Sequence, residues 1–242
     1  MNKLQFIIDS SNYIVFFGGA GVSTESGLKD FRSVDGLYSE HYDVPPEEIL
    51  SHHYFVQNRE KFYEFYKEKL LCPDIKPNKA HLKLTEMEKA GKLAAIITQN
   101  IDGLHQMAGS TNVYELHGSV HRNYCETCKK FYDANYILNS QGAPKCSCGG
   151  FIKPDVVLYD ESLDDEVVKG AVEHISKADA LIVAGTSLMV YPAAGLLRYF
   201  HGKYLALINR DPTPLDNLAN FVSHEKVGEV LGEITVKENH NG

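Results

Sequence analysis

Two close cysteine pairs carry the most specific chemical pattern in the chain: Cys125-Glu126-Thr127-Cys128 and, after seventeen intervening residues, Cys146-Ser147-Cys148. Two such pairs joined by a short span are the sequence form of a structural Zn²⁺ site, in which four thiolates lie about 2.3 Å from the ion and leave no open position. The spacing therefore predicts one structural Zn²⁺ held by Cys125, Cys128, Cys146 and Cys148, stapling a small lobe that has little core of its own. The second pair has one intervening residue instead of two and must bend the chain more tightly. A redox pair, or free thiols, is the alternative reading of these residues. Cys72 stands apart in sequence and reads as a plain thiol.

A second pattern is the glycine-rich stretch Gly18-Gly19-Ala20-Gly21-Val22-Ser23, directly after the apolar run Tyr13–Phe17. Glycines there let the backbone turn sharply and bring N–H groups close to a phosphate. The spacing falls short of a full Gly-x-Gly-x-x-Gly, and a tight turn packed on a sheet is the alternative. The continuation Thr24–Arg32 reads as a loop able to close over a ligand. Small or hydrogen-bonding residues also end the other predicted strands: Thr98-Gln99-Asn100-Ile101-Asp102, His117-Gly118-Ser119, Gly185-Thr186-Ser187 and Asn209-Arg210. Open α/β sheets bind ligands beyond the carboxyl ends of their strands. One such ending could be a helix cap, but four on one edge predict a polar cleft suited to ribose hydroxyls and phosphates. Among eleven histidines, His117 is distinguished by ending a predicted strand just before a glycine. His105 and His121 carry less of that signature, and His52 and His53 read as helix surface.

These residues need a scaffold, and the chain supplies an alternation of strands and helices. Tyr13–Phe17, Leu93–Thr98, Ala180–Ala184 and Tyr204–Ile208 are continuously apolar, as strands covered on both faces are. Helical patterns lie between them at Asp164–Ser176, at Lys79–Ala90 before Gly91, and from Pro192 to about His201. The expected fold class is α/β, with a parallel sheet. Residues from about Gly36 to Leu71 and from about His121 to Phe151 break the rhythm and read as insertions that build a smaller second lobe.

Composition narrows the function. Twenty-four basic against 32 acidic side chains give a net charge of −8, which argues against a general nucleic-acid or anionic-membrane binder. The longest uncharged run, Ala180 to Leu197, is interrupted by Gly185-Thr186-Ser187 and Pro192, so it reads as strand, loop and helix. No apolar signal region precedes Asn12. The expectation is a soluble, cytoplasmic protein with no membrane partner and no direct nucleic-acid binding.

In order and spacing the motifs resemble the sirtuins, the Sir2 family of NAD-dependent protein-lysine deacylases, and more closely their short bacterial members. The resemblance runs from about Asn12 to Leu231. It rests on Gly19-Ala20-Gly21-Val22-Ser23, Asp30-Phe31-Arg32, Thr98-Gln99-Asn100-Ile101-Asp102, His117-Gly118, the four paired cysteines, Gly185-Thr186-Ser187-Leu188 and Asn209-Arg210. It implies a Rossmann-type parallel sheet domain (1–35, 76–118 and 152–242) with an inserted lobe made of a helical module (36–75) and a zinc module (119–151). It also implies NAD as co-substrate and one structural Zn²⁺ per chain. Gly19, Ala20, Thr24, Phe31 and Arg32 would line the phosphates and the nicotinamide ribose. Gln99 and Asn100 would shape the ribose pocket, and Ile101 and Asp102 would hold the nicotinamide carboxamide. Gly185, Thr186, Ser187 and Asn209 would bind the adenosine half, with Val227 near the adenine.

The implied reaction is attack of the acetyl-lysine carbonyl oxygen on C1′ of the nicotinamide ribose, with nicotinamide leaving. The 2′-hydroxyl then attacks the resulting alkylimidate, with His117 as general base and Asn100 beside it. The products are free lysine and O-acetyl-ADP-ribose. Acetyl-lysine proteins or peptides would add as a strand between Val156–Glu161 and Leu188–Tyr191, with Val157 against the lysine stem. Two stretches depart from the family pattern. Lys29 replaces a proline, and Tyr159-Asp160-Glu161 replaces Phe-Gly-Glu. Tyr66 stands where succinyl-removing members carry an arginine, three residues after Tyr63, which predicts an uncharged aromatic acyl pocket. Mono-ADP-ribosyl transfer from the same NAD site, a non-catalytic zinc and nucleotide-binding module, and an NAD dehydrogenase are the competing functions.

Overall fold

Alternate residues of each central strand face opposite helical layers, which is why the strands read as unbroken apolar runs. A computed structural model describes residues 2–31, 33 and 35–237. The strands are β1 (Ile14–Gly18), β2 (Leu93–Thr98), β3 (Val113–Glu115), β4 (Gly118–Cys125), β5 (Phe131–Tyr132), β6 (Ile152–Val156), β7 (Ala180–Ala184), β8 (Tyr204–Ile208) and β9 (Phe221–Ser223). The helices are α1 (Lys3–Asp9), α2 (Pro46–Ile49), α3 (His52–Gln57), α4 (Arg59–Lys69), α5 (Lys79–Lys89), α6 (Leu104–Ala108), α7 (Ala134–Asn139), α8 (Asp165–Lys177) and α9 (Val227–Gly232).

Six strands form one parallel sheet in the order β3-β2-β1-β7-β8-β9. The order reverses between β1 and β7, and a crevice outside the carboxyl ends at such a point is where Rossmann-type sheets bind ligands. Ile14 and Phe16 of β1, with Ile96, Ile182 and Ile208, pack on Leu4, Ile8, Leu84, Met87 and Leu231 of α1, α5 and α9. Val15 and Phe17, with Ile97, Leu181 and Val183, face the other way onto Ala171 and Ile175 of α8.

Local chemistry sets the helix ends. The Asn78 side chain accepts the Ala80 N–H, and His81 Nδ1 accepts the Asn78 N–H, closing a capping box at the start of α5. Gly91, at φ 71°, follows its end. Asp164 caps α8 through the Glu166 and Val167 N–H groups, and Asp165 and Glu166 complement the positive end of the helix.

The helix expected after Pro192 is a 3₁₀ segment, Ala193–Tyr199. Gly195 lies inside it and weakens α-helical preference. Its ends close by three-residue bonds, Gly195 N to Pro192 O at 2.9 Å and Phe200 N to Leu197 O at 3.0 Å.

The remaining strands form an antiparallel sheet, β5-β4-β6. It shares a second apolar cluster with α3 and α4, centred on Phe55, Phe62, Tyr63, Tyr66, Val120, Ile137 and Ile152. Phe62 meets Phe55 edge-on at 4.9 Å and stacks on Tyr66 at 5.5 Å. Arg59 sits 4.4 Å from the Phe55 ring and 4.5 Å from the Phe151 ring, and pairs with Glu126 at 2.6 Å. That cation ties the helical segment to the cysteine-bearing one. This inserted lobe beside a parallel Rossmann-type sheet is the α/β arrangement expected from the sequence. No helix among the described residues is long and apolar enough to cross a membrane.

Candidate active site and metal centre

The loops after β1 and β7 touch backbone to backbone at the switch point. Gly19 N donates to Ala184 O at 3.1 Å, and Gly21 N donates to Gly185 O at 2.9 Å. A Cβ on Gly21 would lie 2.7 Å from Gly185 Cα. Gly185 has φ 59°, and a Cβ there would lie 2.3 Å from Val22 N. The glycines are thus demanded by the close approach of two chains as well as by any ligand.

Polar side chains converge beside this contact. Asn100 Nδ2 donates to Ser23 Oγ at 3.1 Å, and Ser23 Oγ donates to Asp102 Oδ2 at 2.7 Å. Asp102 Oδ1 accepts the Leu104 N–H at 2.9 Å. Burial raises the Asp102 carboxyl above its ordinary range, while the bonds from Leu104 and Ser23 oppose that rise. Gln99 Nε2 donates to Thr186 Oγ1 at 3.1 Å, linking the β2 and β7 ends.

His117 Nδ1 lies 2.9 Å from Gln99 O. A carbonyl only accepts, so Nδ1 carries the proton and Nε2 is the basic nitrogen of the neutral ring. Burial lowers the His117 pKa below its ordinary value, and the Gln99 bond pulls the other way. Gly118, at φ 76°, turns the chain directly into β4. A Cβ there would lie 1.9 Å from Asp155 O, so no other residue lets β4 lie against β6 at this point.

A cleft of about 1150 Å³ opens over these groups. It exceeds the roughly 300–1,000 Å³ of a site for one drug-sized ligand. Gly19, Ala20, Thr24, Phe31, Gln99, Asn100, Ile101, Asp102, His117, Gly185, Thr186, Ser187, Asn209 and Val227 all line it. Arg32 lies outside the described residues. Both expected peptide-binding segments reach the cleft, through Val156, Val157 and Tyr159 on one side and Met189, Val190 and Tyr191 on the other. His105 is buried against His81 instead, with ring centroids 4.8 Å apart, and His121 Nε2 bonds Asp102 O at 3.0 Å.

Tyr63 and Tyr66 do not form the aromatic pocket wall expected of them. Both are fully buried in the second cluster, with Tyr63 Oη donating to Ile152 O at 2.5 Å, and neither lines the cleft. Four aromatics in five positions of α4 give no one-sided stripe, so the sequence cannot say which faces inward.

Three positioning residues lay outside the sequence reading of the site. Ser23 joins Asn100 to Asp102. Asn78 Nδ2 donates to Val22 O at 2.8 Å and to Ser26 Oγ at 3.0 Å. Glu25 Oε1 accepts the Gly228 N–H at 2.7 Å, from 203 residues away. Ser23 at least was marked by its place in the glycine motif.

The Sγ atoms of Cys125, Cys128, Cys146 and Cys148 all lie within 4.8 Å of one another. Cys125–Cys148 and Cys128–Cys146 are each 3.5 Å apart. A tetrahedron with bonds of about 2.3 Å has edges of about 3.8 Å, so the spacing fits Zn²⁺. The short Cys146–Cys148 spacing is accommodated by a turn in which Gly149 N donates to Cys146 O at 2.9 Å with Gly149 at φ 87°. N–H groups of Cys128 and Cys148 and the Tyr132 hydroxyl point at the sulfurs, as suits thiolates. The four cysteines are positioned to bind one Zn²⁺, in a closed structural site.

Comparison with known proteins agrees with this geometry. An NAD-dependent protein deacetylase of Clostridium perfringens (strain 13 / Type A) is 59% identical over 238 residues, covering 97% of this chain and 98% of that protein. A Sir2 structure with a deacetylated p53 peptide and 3′-O-acetyl ADP-ribose superposes with a TM-score of 0.88 at 37% identity, covering 96% of this chain and 95% of that one. A Sir2 complex with a p53 peptide and NAD⁺ gives a TM-score of 0.84 at 38% identity, with 96% and 95% covered. Residues 19–192 match the model of the Sir2 family, and the chain belongs to that family.

Proposed function

We infer that this protein is an NAD-dependent protein-lysine deacetylase that yields deacetylated lysine, nicotinamide and O-acetyl-ADP-ribose. The observation that carries the reading is one cleft in which His117, with Nδ1 committed to Gln99 O, shares walls with the glycine-rich loop and the β7 end. NAD, as co-substrate, supplies an electrophilic ribose carbon and nicotinamide as leaving group.

His117 Nε2 takes the proton of a ribose hydroxyl, and burial keeps the ring neutral and ready to do so. Asn100, fixed through Ser23, positions the ribose. Gln99 shapes the same pocket. Ile101 and Asp102 receive the carboxamide end. Gly19, Ala20, Thr24, Phe31 and Arg32 hold the phosphates and the nicotinamide ribose. Gly185, Thr186, Ser187, Asn209 and Val227 take the adenosine half. Alignment matters because a carbonyl oxygen is a poor nucleophile.

In this reading 1–35, 76–118 and 152–242 make the NAD-binding domain, 36–75 the helical module and 119–151 the zinc module held by Cys125, Cys128, Cys146 and Cys148. Substrates are cytoplasmic proteins bearing acetyl-lysine, read between Val156–Glu161 and Leu188–Tyr191.

Incubation with NAD and an acetylated peptide, resolved by mass spectrometry, tests the reading. Free-lysine peptide and O-acetyl-ADP-ribose are expected, and neither should form without NAD. ADP-ribosylated protein with intact acetyl-lysine would overturn it in favour of ADP-ribosyl transfer.

A further inference from the structure

The segment that leaves β6 runs along the cleft and is pinned at several points. Tyr159 N donates to Leu50 O at 2.9 Å, and His52 N donates to Tyr159 O at 2.9 Å. The Glu161 carboxylate is spent on this anchoring: Oε1 meets His52 Nδ1 at 2.7 Å, and Oε2 accepts from Leu158 N at 2.9 Å and Lys153 Nζ at 3.0 Å. Asp160 lies between these anchors and differs from both neighbours. It is exposed, lines the cleft, and has no ion pair or hydrogen bond among the described residues.

Its backbone is left-handed, with φ 72°, a conformation Asp tolerates better than most residues and that the family motif fills with glycine. The chain therefore keeps the glycine geometry and adds a fixed negative charge. Cleft-lining cations do not pair with it: Lys29 and Lys69 share Glu40, Arg210 meets Asp211 and Lys226 meets Glu229. The opposite wall, Met189 and Tyr191, is uncharged and 63% and 75% exposed.

We propose that Asp160 is a specificity-determining residue that favours acetyl-lysine substrates with a basic residue, Arg or Lys, flanking the modified lysine. The proposal rests on the deacetylase reading above, because it takes Val156–Glu161 as one wall of the peptide groove. An exposed pair contributes modestly, so the preference is about two- to fivefold in kcat/KM and resides in KM. It shrinks as salt rises, because the screening length falls from roughly 10 Å at 0.1 M to 3 Å at 1 M. A carboxylate held on a pinned segment loses little freedom when a substrate cation meets it.

The test uses three acetylated peptides that differ only in the residues flanking the acetyl-lysine: arginine, alanine or glutamate. Wild-type protein is expected to rank them in that order, with a smaller spread in high salt. Asp160→Asn keeps the size and the left-handed tolerance, and Asp160→Gly restores the family residue. Both should collapse the arginine-to-glutamate ratio to near one, and Asp160→Lys should invert it. The ratio is read within each variant, so a general loss of turnover does not mimic the effect. Equal efficiency on all three peptides with wild type, or an unchanged ratio in both the Asn and Gly variants, overturns the proposal while leaving the deacetylase reading intact. Failure of wild type to deacetylate any peptide overturns both.

Discussion

The bond from His117 Nδ1 to Gln99 O decides which ring nitrogen can act as a base, and burial decides over which pH range it does so. Because burial lowers the pKa, the neutral ring persists below the ordinary 6.5. Activity should therefore hold as pH falls through 6.5 and be lost only at lower pH, as the ring finally takes its proton. A kcat/KM profile whose acidic limb lies above 6.5 would contradict this. The importance of His117 was legible in the sequence because it follows a largely apolar run and precedes a glycine, although it lies in the turn between β3 and β4 and does not end a strand. The Ser23 bridge was not, since hydrogen bonds between loops 77 residues apart leave no local pattern.

Among the elements, the strand ends did most to place the site, and they were readable because continuous apolar runs mark strands covered on both faces. Contacts between distant elements were not. Glu25 receives the first turn of α9 across 203 residues, and a Cβ on Gly228 would lie 2.7 Å from its carboxylate. This bond holds the loop after β1 against the helix that carries Val227. Glu25→Ala should raise KM for NAD by roughly tenfold with little change in kcat, the cost of a lost hydrogen bond to a charged group. Glu25→Gln, which keeps an acceptor, should recover most of it. A fall in kcat with unchanged KM would mean that the contact does not serve NAD.

The cysteine cluster was legible to the residue, because close pairs are local. Cys125→Ala should lose bound zinc, to below about a tenth of an equivalent, and disorder β4–β6, abolishing activity indirectly. Zinc analysis and amide exchange over 119–151 check this; full activity without metal would refute it. The inward turn of Tyr63 and Tyr66 had no such local mark, because α4 is aromatic on more than one side.

Across the whole molecule, charge is distributed so that the cleft offers no spare cation among its described residues. An acidic acyl group would enter as an unpaired, partly desolvated anion. Acetyl-lysine should therefore exceed succinyl-lysine by roughly tenfold or more in kcat/KM on matched peptides, and equal efficiency would show that an anion-binding group has been overlooked. The helical segment within 36–75 and the ends of the parallel strands meet at the same cleft, through Leu37, Tyr38 and Leu50 on one side and Gln99, Asn100 and Thr186 on the other. In the proposed function the strand ends take NAD and the segment after β6 lines the peptide.

The most direct test of this account counts products: nicotinamide released against acetyl groups removed, for wild type and for His117→Ala. One nicotinamide per deacetylated lysine is the result predicted for wild type. His117→Ala should still bind NAD but turn over roughly 10²-fold more slowly or worse. Deacetylation that needs no NAD, or that proceeds undiminished without His117, would contradict the account.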